Sequence, residues 1–155
     1  MKKILTGLLA ALVLIAIILA LIAPIGPVPG FFIGGTPASA PEAWQDTSNT
    51  DEILFKVDGT LPRVITLWVV EYNSELHVVG NNESGWVGAL GDGGPVEMRI
   101  EDNTYKLNAV KVTSDLEAIW TAYVDKYKAD YPDIIDSFPP IEEAKLGASV
   151  FRLAR

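Results

Sequence analysis

The chain reads as a mainly β domain with helices (α+β), an antiparallel barrel preceded by one N-terminal transmembrane helix. Three observations predict this. Residues 4–23 form a charge-free apolar run. Val96, Met98 and Ile100 alternate with Glu97, Arg99 and Glu101, the period-two pattern of a half-buried strand. Leu116, Ile119, Trp120, Tyr123, Val124 and Tyr127 recur at helical spacing, so one amphipathic helix interrupts the strands.

The apolar run comes first. About 20 residues at 1.5 Å each cover roughly 30 Å, the hydrocarbon thickness of a bilayer. Lys2 and Lys3 precede it and the next basic residue is Lys56. The positive-inside rule then puts the N-terminus in the cytoplasm and the rest outside, on the cytoplasmic membrane. A cleaved signal peptide is the rival reading, because Ala38-Ser39-Ala40 resembles a cleavage site. Signal apolar regions run to roughly 7–15 residues, shorter than this one, and Pro41 follows the site. The chain thus divides into an anchor at 1–23, a Pro/Gly-rich linker at 24–49 and a domain at 50–155. Prolines 24, 27, 29, 37 and 41 make the linker a spacer. Within it Phe31-Phe32-Ile33, and then Trp44, suit either the membrane interface or packing on the domain.

The domain opens with a strand at residues 53–57. Asp58-Gly59 is a turn pair, and Thr60-Leu61-Pro62 extends the loop. Residues 63–71 are β-branched and aromatic, as a buried strand is. Residues 72–75 are a hairpin connection, and Leu76 to Gly80 return. Ser84 is placed to cap a short helix carrying Trp86, Val87 and Leu90. Residues 91–95 are a turn cluster ahead of the alternating strand 96–100. A strand at 104–112 follows Asp102-Asn103, with a bulge expected near Val110 where alternation breaks. Ser114 and Glu117 fit a capping box for the amphipathic helix. Pro132 stops that helix, an irregular return follows, and residues 148–153 close the barrel.

Composition excludes several function classes. The net charge is −8, which argues against nucleic acid and against anionic lipid docking on the domain surface. There is no cysteine, so thiolate metal sites, disulfides and cysteine nucleophiles are absent. With one histidine, His77, a zinc site would need mainly carboxylates, which suit harder ions, and no His-carboxylate spacing that builds one is present. His77 itself reads as a packing or surface residue. Gly91-Asp92-Gly93-Gly94 lacks the Lys-Ser/Thr of a P-loop and reads as a turn. No catalytic residue is assigned.

The order Pro62-Arg63, an apolar strand with Leu67-Trp68, a hairpin, a strand ending in Gly80, then Ser84-x-Trp86-Val87-x-x-Leu90 resembles the split-barrel flavin/deazaflavin reductase superfamily. That group includes the pyridoxamine-phosphate-oxidase-like FMN binders and the deazaflavin-dependent nitroreductases. The resemblance covers roughly residues 53–153. It implies an antiparallel split barrel, FMN or the deazaflavin F420 as cofactor, oxidoreductase activity on a small molecule, and a homodimer. It places Arg63 on the cofactor phosphate, Thr66 and Trp68 along the cofactor groove, and Ser84 and Trp86 at the helix start. There N–H groups favour an anion, and the indole would stack on the ring. From the residues alone, Arg63 equally suits a salt bridge at the barrel rim, Trp86 equally suits the core of the short helix, and core packing is the stronger reading of Trp68. Lys56 and Arg99 are the substitute phosphate ligands. The chain departs from the family in two places. The loop 57–61 carries Asp58 and no basic residue, and Ala89 stands where an Asn is frequent. Two other readings therefore stay open: a cofactor-free extracytoplasmic binding module on a degenerate barrel, and a binder of another planar ligand such as haem, with His77 its one imidazole.

Overall fold

The computed structural model describes residues 2–22, 24–25, 28–44, 47–59 and 61–155. Ala23 of the apolar run, Pro27 of the linker and Thr60 of the loop before Arg63 lie outside the described residues.

Six antiparallel strands close into a barrel: β2 (Glu52–Val57), β3 (Arg63–Tyr72), β4 (Glu75–Asn81), β5 (Gly93–Ile100), β6 (Asn103–Lys111) and β7 (Ala148–Ala154). They pair in the order β6-β5-β2-β3-β4-β7, and β7 returns to β6. Asn73 and Ser74 both have positive φ, as the two-residue turn between β3 and β4 requires. Alternation along the strands sends Phe55, Leu76, Val78, Met98, Phe151 and Leu153 inward, where none is exposed. The bulge expected near Val110 does not form. The register of β6 on β7 runs unbroken from Asn108 to Lys111. Val110 is apolar because its outward face lines a cavity together with Ile119.

β3 is shared unevenly. Arg63 to Trp68 pair with β2. Only Val69 to Tyr72 pair with β4, whose far end runs on along β7 instead. The barrel wall therefore parts between the first half of β3 and the end of β4. The helix α2 (Gly85–Leu90) lies at that opening.

A second layer covers the outside of the wall. α3 (Leu116–Lys128) lays Ile119, Tyr123 and Tyr127 on it at four-residue spacing. The expected capping box is absent. Asp115, not Ser114, sits at the N-cap with φ 56°, and no side chain caps the helix. The turn begins one residue later than the sequence suggested, which moves Glu117 out of capping register. Pro132 starts α4 (Pro132–Asp136) as well as ending α3, because a first-turn proline needs no N–H partner. α5 (Ile141–Gly147) then leads into β7.

The stretch expected as a spacer wraps the barrel instead. Gly30 and Val64 exchange backbone hydrogen bonds of 2.7 and 2.9 Å, which fills the edge of β3. Arg99 Nη1 donates to the Ile33 carbonyl (3.2 Å) and Thr104 Oγ1 to that of Gly34 (2.5 Å). A three-residue strand, β1 (Thr36–Ala38), runs parallel to β6. Trp44 plugs the barrel end edge-on to Tyr105, 6% exposed. Lys126 Nζ then donates to the carbonyls of Thr47, Thr50 and Val69 at 2.7–2.8 Å. Pro and Gly disfavour helix, but they leave isolated donors and acceptors free to bond an open strand edge.

α1 spans Lys2–Ile22. Its side chains from residue 4 to residue 19 are all exposed. Among the described residues no helix is long and apolar enough to cross a membrane.

Candidate functional site

Arg63 begins β3 at the opening in the wall and is exposed. Its guanidinium lies directly over Gly85, the first residue of α2. A methyl group there would meet Nη1, so glycine at 85 lets the arginine lie this close to the helix start. No ion pair or hydrogen bond engages that guanidinium among the described residues. Ser84 is the N-cap residue, but its hydroxyl donates backwards to the Asn81 carbonyl at 2.6 Å and does not cap. The first helical bond runs from Gly88 N to Ser84 O, so the N–H groups of residues 85–87 have no intrahelical acceptor. The structure thus brings together a free planar cation and unsatisfied backbone donors. That combination suits a phosphate oxygen.

The other expected site residues lie elsewhere. Trp86 is 7% exposed and turns into the barrel, 5.7 Å from both Phe55 and Phe151. Gly80 has no side chain to block the indole, and this close packing leaves no ring face open to a ligand. Thr66 and Trp68 point to the opposite side of β3 from Arg63, as residues an odd number of positions away must. Thr66 is exposed there. Trp68 stacks on Tyr127 at 4.2 Å and leans on Tyr131 at 4.8 Å, forming part of the α3 layer. The substitute cations are engaged. Lys56 Nζ lies 2.5 Å from Glu97 Oε1 and 3.8 Å from Asp58, and the Glu97 contact raises its pKa. Arg99 Nε donates to the Glu101 carbonyl at 2.8 Å, besides its bond to Ile33.

Two cavities fall outside the sequence reading. The first, about 320 Å³, is lined by His77, Glu75, Arg152, Lys111 and Ser114. His77 is 3% exposed, and its Nδ1 lies 3.2 Å from the Glu75 carbonyl. A carbonyl only accepts, so Nδ1 carries the proton and Nε2 is left an acceptor. Burial lowers the imidazole pKa, helped by Arg152, against opposing contributions from the Glu75 carbonyl and carboxylates. Glu75 Oε2 is buried without a hydrogen-bond partner among the described residues. The second cavity, about 300 Å³, lies between the end of β4, α3 and α5, and is lined by Trp120, Tyr123 and Phe138. Aromatic residues at helical spacing read as core in sequence, so nothing there signalled a space. Among the described residues no cluster of three or more His, Cys, Asp or Glu is placed to hold a metal ion.

No protein-family model matches the chain, and no curated protein matches it in sequence. Solved structures similar in backbone course include the following two. The haem storage protein HutZ from Vibrio cholerae is 17% identical, with 69% of this chain and 83% of that one covered at a TM-score of 0.48. A NimC/NimA family protein from Clostridium acetobutylicum is 16% identical, with 66% and 73% covered at 0.47. Likenesses of this extent say nothing about what this chain binds.

Proposed function

We propose that the chain is a membrane-tethered split-barrel protein that binds a phosphorylated flavin, FMN or deazaflavin F420, and belongs to the oxidoreductase class. The observation that carries this is the unpaired Arg63 guanidinium lying over Gly85 at the start of α2. Arg63 would hold the phosphate, with the N–H groups of Gly85 and Trp86 as further donors. The bound flavin would supply two-electron chemistry. The chain's own part is to fix the phosphate and shield one side of the ring, and Trp86 takes no part in stacking. The substrate is a small molecule of unassigned identity. The absorbance spectrum of the purified full chain, with mass spectrometry of whatever it releases, tests the reading. A flavin or deazaflavin band is expected. A colourless protein that also fails to take up either compound would remove it.

The anchor belongs to the same proposal. Its support is the charge-free sequence at residues 4–23, the exposed apolar side chains of α1, and the exposed Phe31 and Phe32 that follow. The N-terminus is placed inside and the barrel outside the cytoplasmic membrane. The protein should resist carbonate extraction, and protease added to sealed spheroplasts should digest the barrel. Self-association into a homodimer is likewise proposed, and sedimentation of the detergent-solubilised chain tests it.

A cofactor-free interaction module is the second reading. It is favoured by the engagement of Lys56 and Arg99 elsewhere, which leaves Arg63 as one lone cation for a doubly charged phosphate. A haem reading rests on His77, whose ring is almost wholly covered.

A further inference from the structure

The cavity between β4, α3 and α5 has a composition unlike the rest of the surface. Three rings border it. Trp120 and Phe138 have centroids 5.5 Å apart, Trp120 and Tyr123 lie 6.3 Å apart and 14° from parallel, and Tyr123 and Phe138 also lie 6.3 Å apart. Val79 and Ala144 complete an apolar floor. Tyr123 is 7% exposed and lines the space. Its hydroxyl has no hydrogen-bond partner among the described residues, unlike that of Tyr127 one turn on, which bonds Val69 and Asp51. Glu143 is the one charged residue on the lining, and it forms no ion pair among the described residues; Lys145 close by is paired to Glu142 at 2.8 Å.

Aromatic faces carry negative quadrupole charge and attract cations that are poorly hydrated. Glu143 adds a full negative charge at the rim, and the whole chain is at −8. An anionic ligand would meet this carboxylate with no cation on the lining to offset it. A neutral apolar ligand would fill the floor but leave Glu143 unused. A cavity of about 300 Å³ is at the small end of ligand sites.

We propose that the pocket bordered by Trp120, Tyr123, Phe138 and Glu143 binds a small organic cation, an alkyl- or arylammonium compound whose apolar body sits on the rings. This site is separate from the Arg63 corner and stands whether or not a flavin binds there.

The test is calorimetric titration of the full chain in detergent with benzyltrimethylammonium, its uncharged carbon isostere and phenylacetate. Saturable binding of the ammonium compound is expected, about tenfold or more tighter than the isostere, with none of the anion. Glu143→Gln, an exposed change that leaves the fold intact, should weaken the cation by about fivefold and leave the isostere unaffected. Trp120→Leu should weaken both. Equal affinity for the cation and its isostere overturns the proposal. So does the absence of saturable binding, or cation binding indifferent to Glu143→Gln.

Discussion

Two clusters of buried side chains lie on opposite sides of the same barrel wall, and they differ in kind. The interior cluster, around Phe55, Val78, Met98 and Phe151, is almost entirely apolar, its one buried polar atom without a partner among the described residues being the Trp44 indole nitrogen. The exterior cluster, under α3, is built from Tyr123, Tyr127, Val70 and Ile135, with Trp68, Tyr131 and Phe138 against it. It buries hydroxyls and an ammonium group among its rings. Burial pushes the Tyr127 phenol well above its usual range and holds Lys126 below the usual lysine value, with Asp51 partly offsetting the latter. The cavity bordered by Trp120 is also on this side. The interior thus closes the barrel by area burial alone. The exterior layer also depends on polar groups, those of Tyr127 and Lys126 hydrogen-bonded, and it borders a cavity.

Substitutions on the two sides should therefore differ in size and in character. Phe151→Ala should cost the most, about 3–5 kcal/mol, because the ring is fully buried and the closed wall cannot collapse around it. Denaturant unfolding of the full chain in detergent measures this. A loss below about 1 kcal/mol would mean the interior is not the stabilising half. Tyr127→Phe keeps the ring and removes only the hydroxyl. That hydroxyl accepts from Val69 N at 2.9 Å and lies within bonding distance of the Val69 and Asp51 carbonyls, at 2.8 and 2.7 Å. The expected loss is about 1–3 kcal/mol, from a buried N–H left without a partner. An effect near zero would show that the exterior layer also works by area alone. Trp120→Ala should cost less, about 1–2 kcal/mol, since its ring is half-buried and borders a space. A loss as large as that of Phe151→Ala would place it in a closed core and remove the cavity.

The smallest effect is on pH dependence. The folded pKa of His77 lies below its unfolded value of about 6.5. Below that value the unfolded chain binds a proton that the folded chain resists. The associated stability is complete above about pH 6.5 and is lost as pH falls through the depressed folded value. His77→Gln should flatten that segment of the stability profile. An unchanged acid limb would show that His77 does not carry it.

The same division explains what was legible in sequence. Interior strands announce themselves, because Val96, Met98 and Ile100 must alternate with polar residues to face one side. α3 is equally plain from Ile119, Tyr123 and Tyr127. The wrap of residues 30–44 was legible only in part: Ile33 and Trp44 could be named as residues able to pack on the domain, but its backbone bonds could not. It bonds through isolated backbone groups at strand edges, and backbone groups carry no residue signature. The Arg63 corner was half legible. Its arginine and helix start could be named, but sequence left Trp86 open between a stacking ring and a core aromatic, and it faces Phe55. The room left at Gly80 and the contacts with Phe55 and Phe151, both distant in sequence, decide which way the indole turns. The exterior cavity was illegible because Trp120 and Tyr123 satisfy a helical pattern whether or not a space lies beside them.

The measurement that bears most directly on the proposed function is fluorescence titration of the full chain, in detergent, with FMN and with F420, for wild type and Arg63→Ala. One charge-assisted contact is worth about 1.5–3 kcal/mol, so saturable binding in the wild type should weaken by about 10- to 150-fold in the variant. Absence of binding to either compound at tens of micromolar would contradict the flavin reading. Binding that is unaltered by Arg63→Ala would contradict the site.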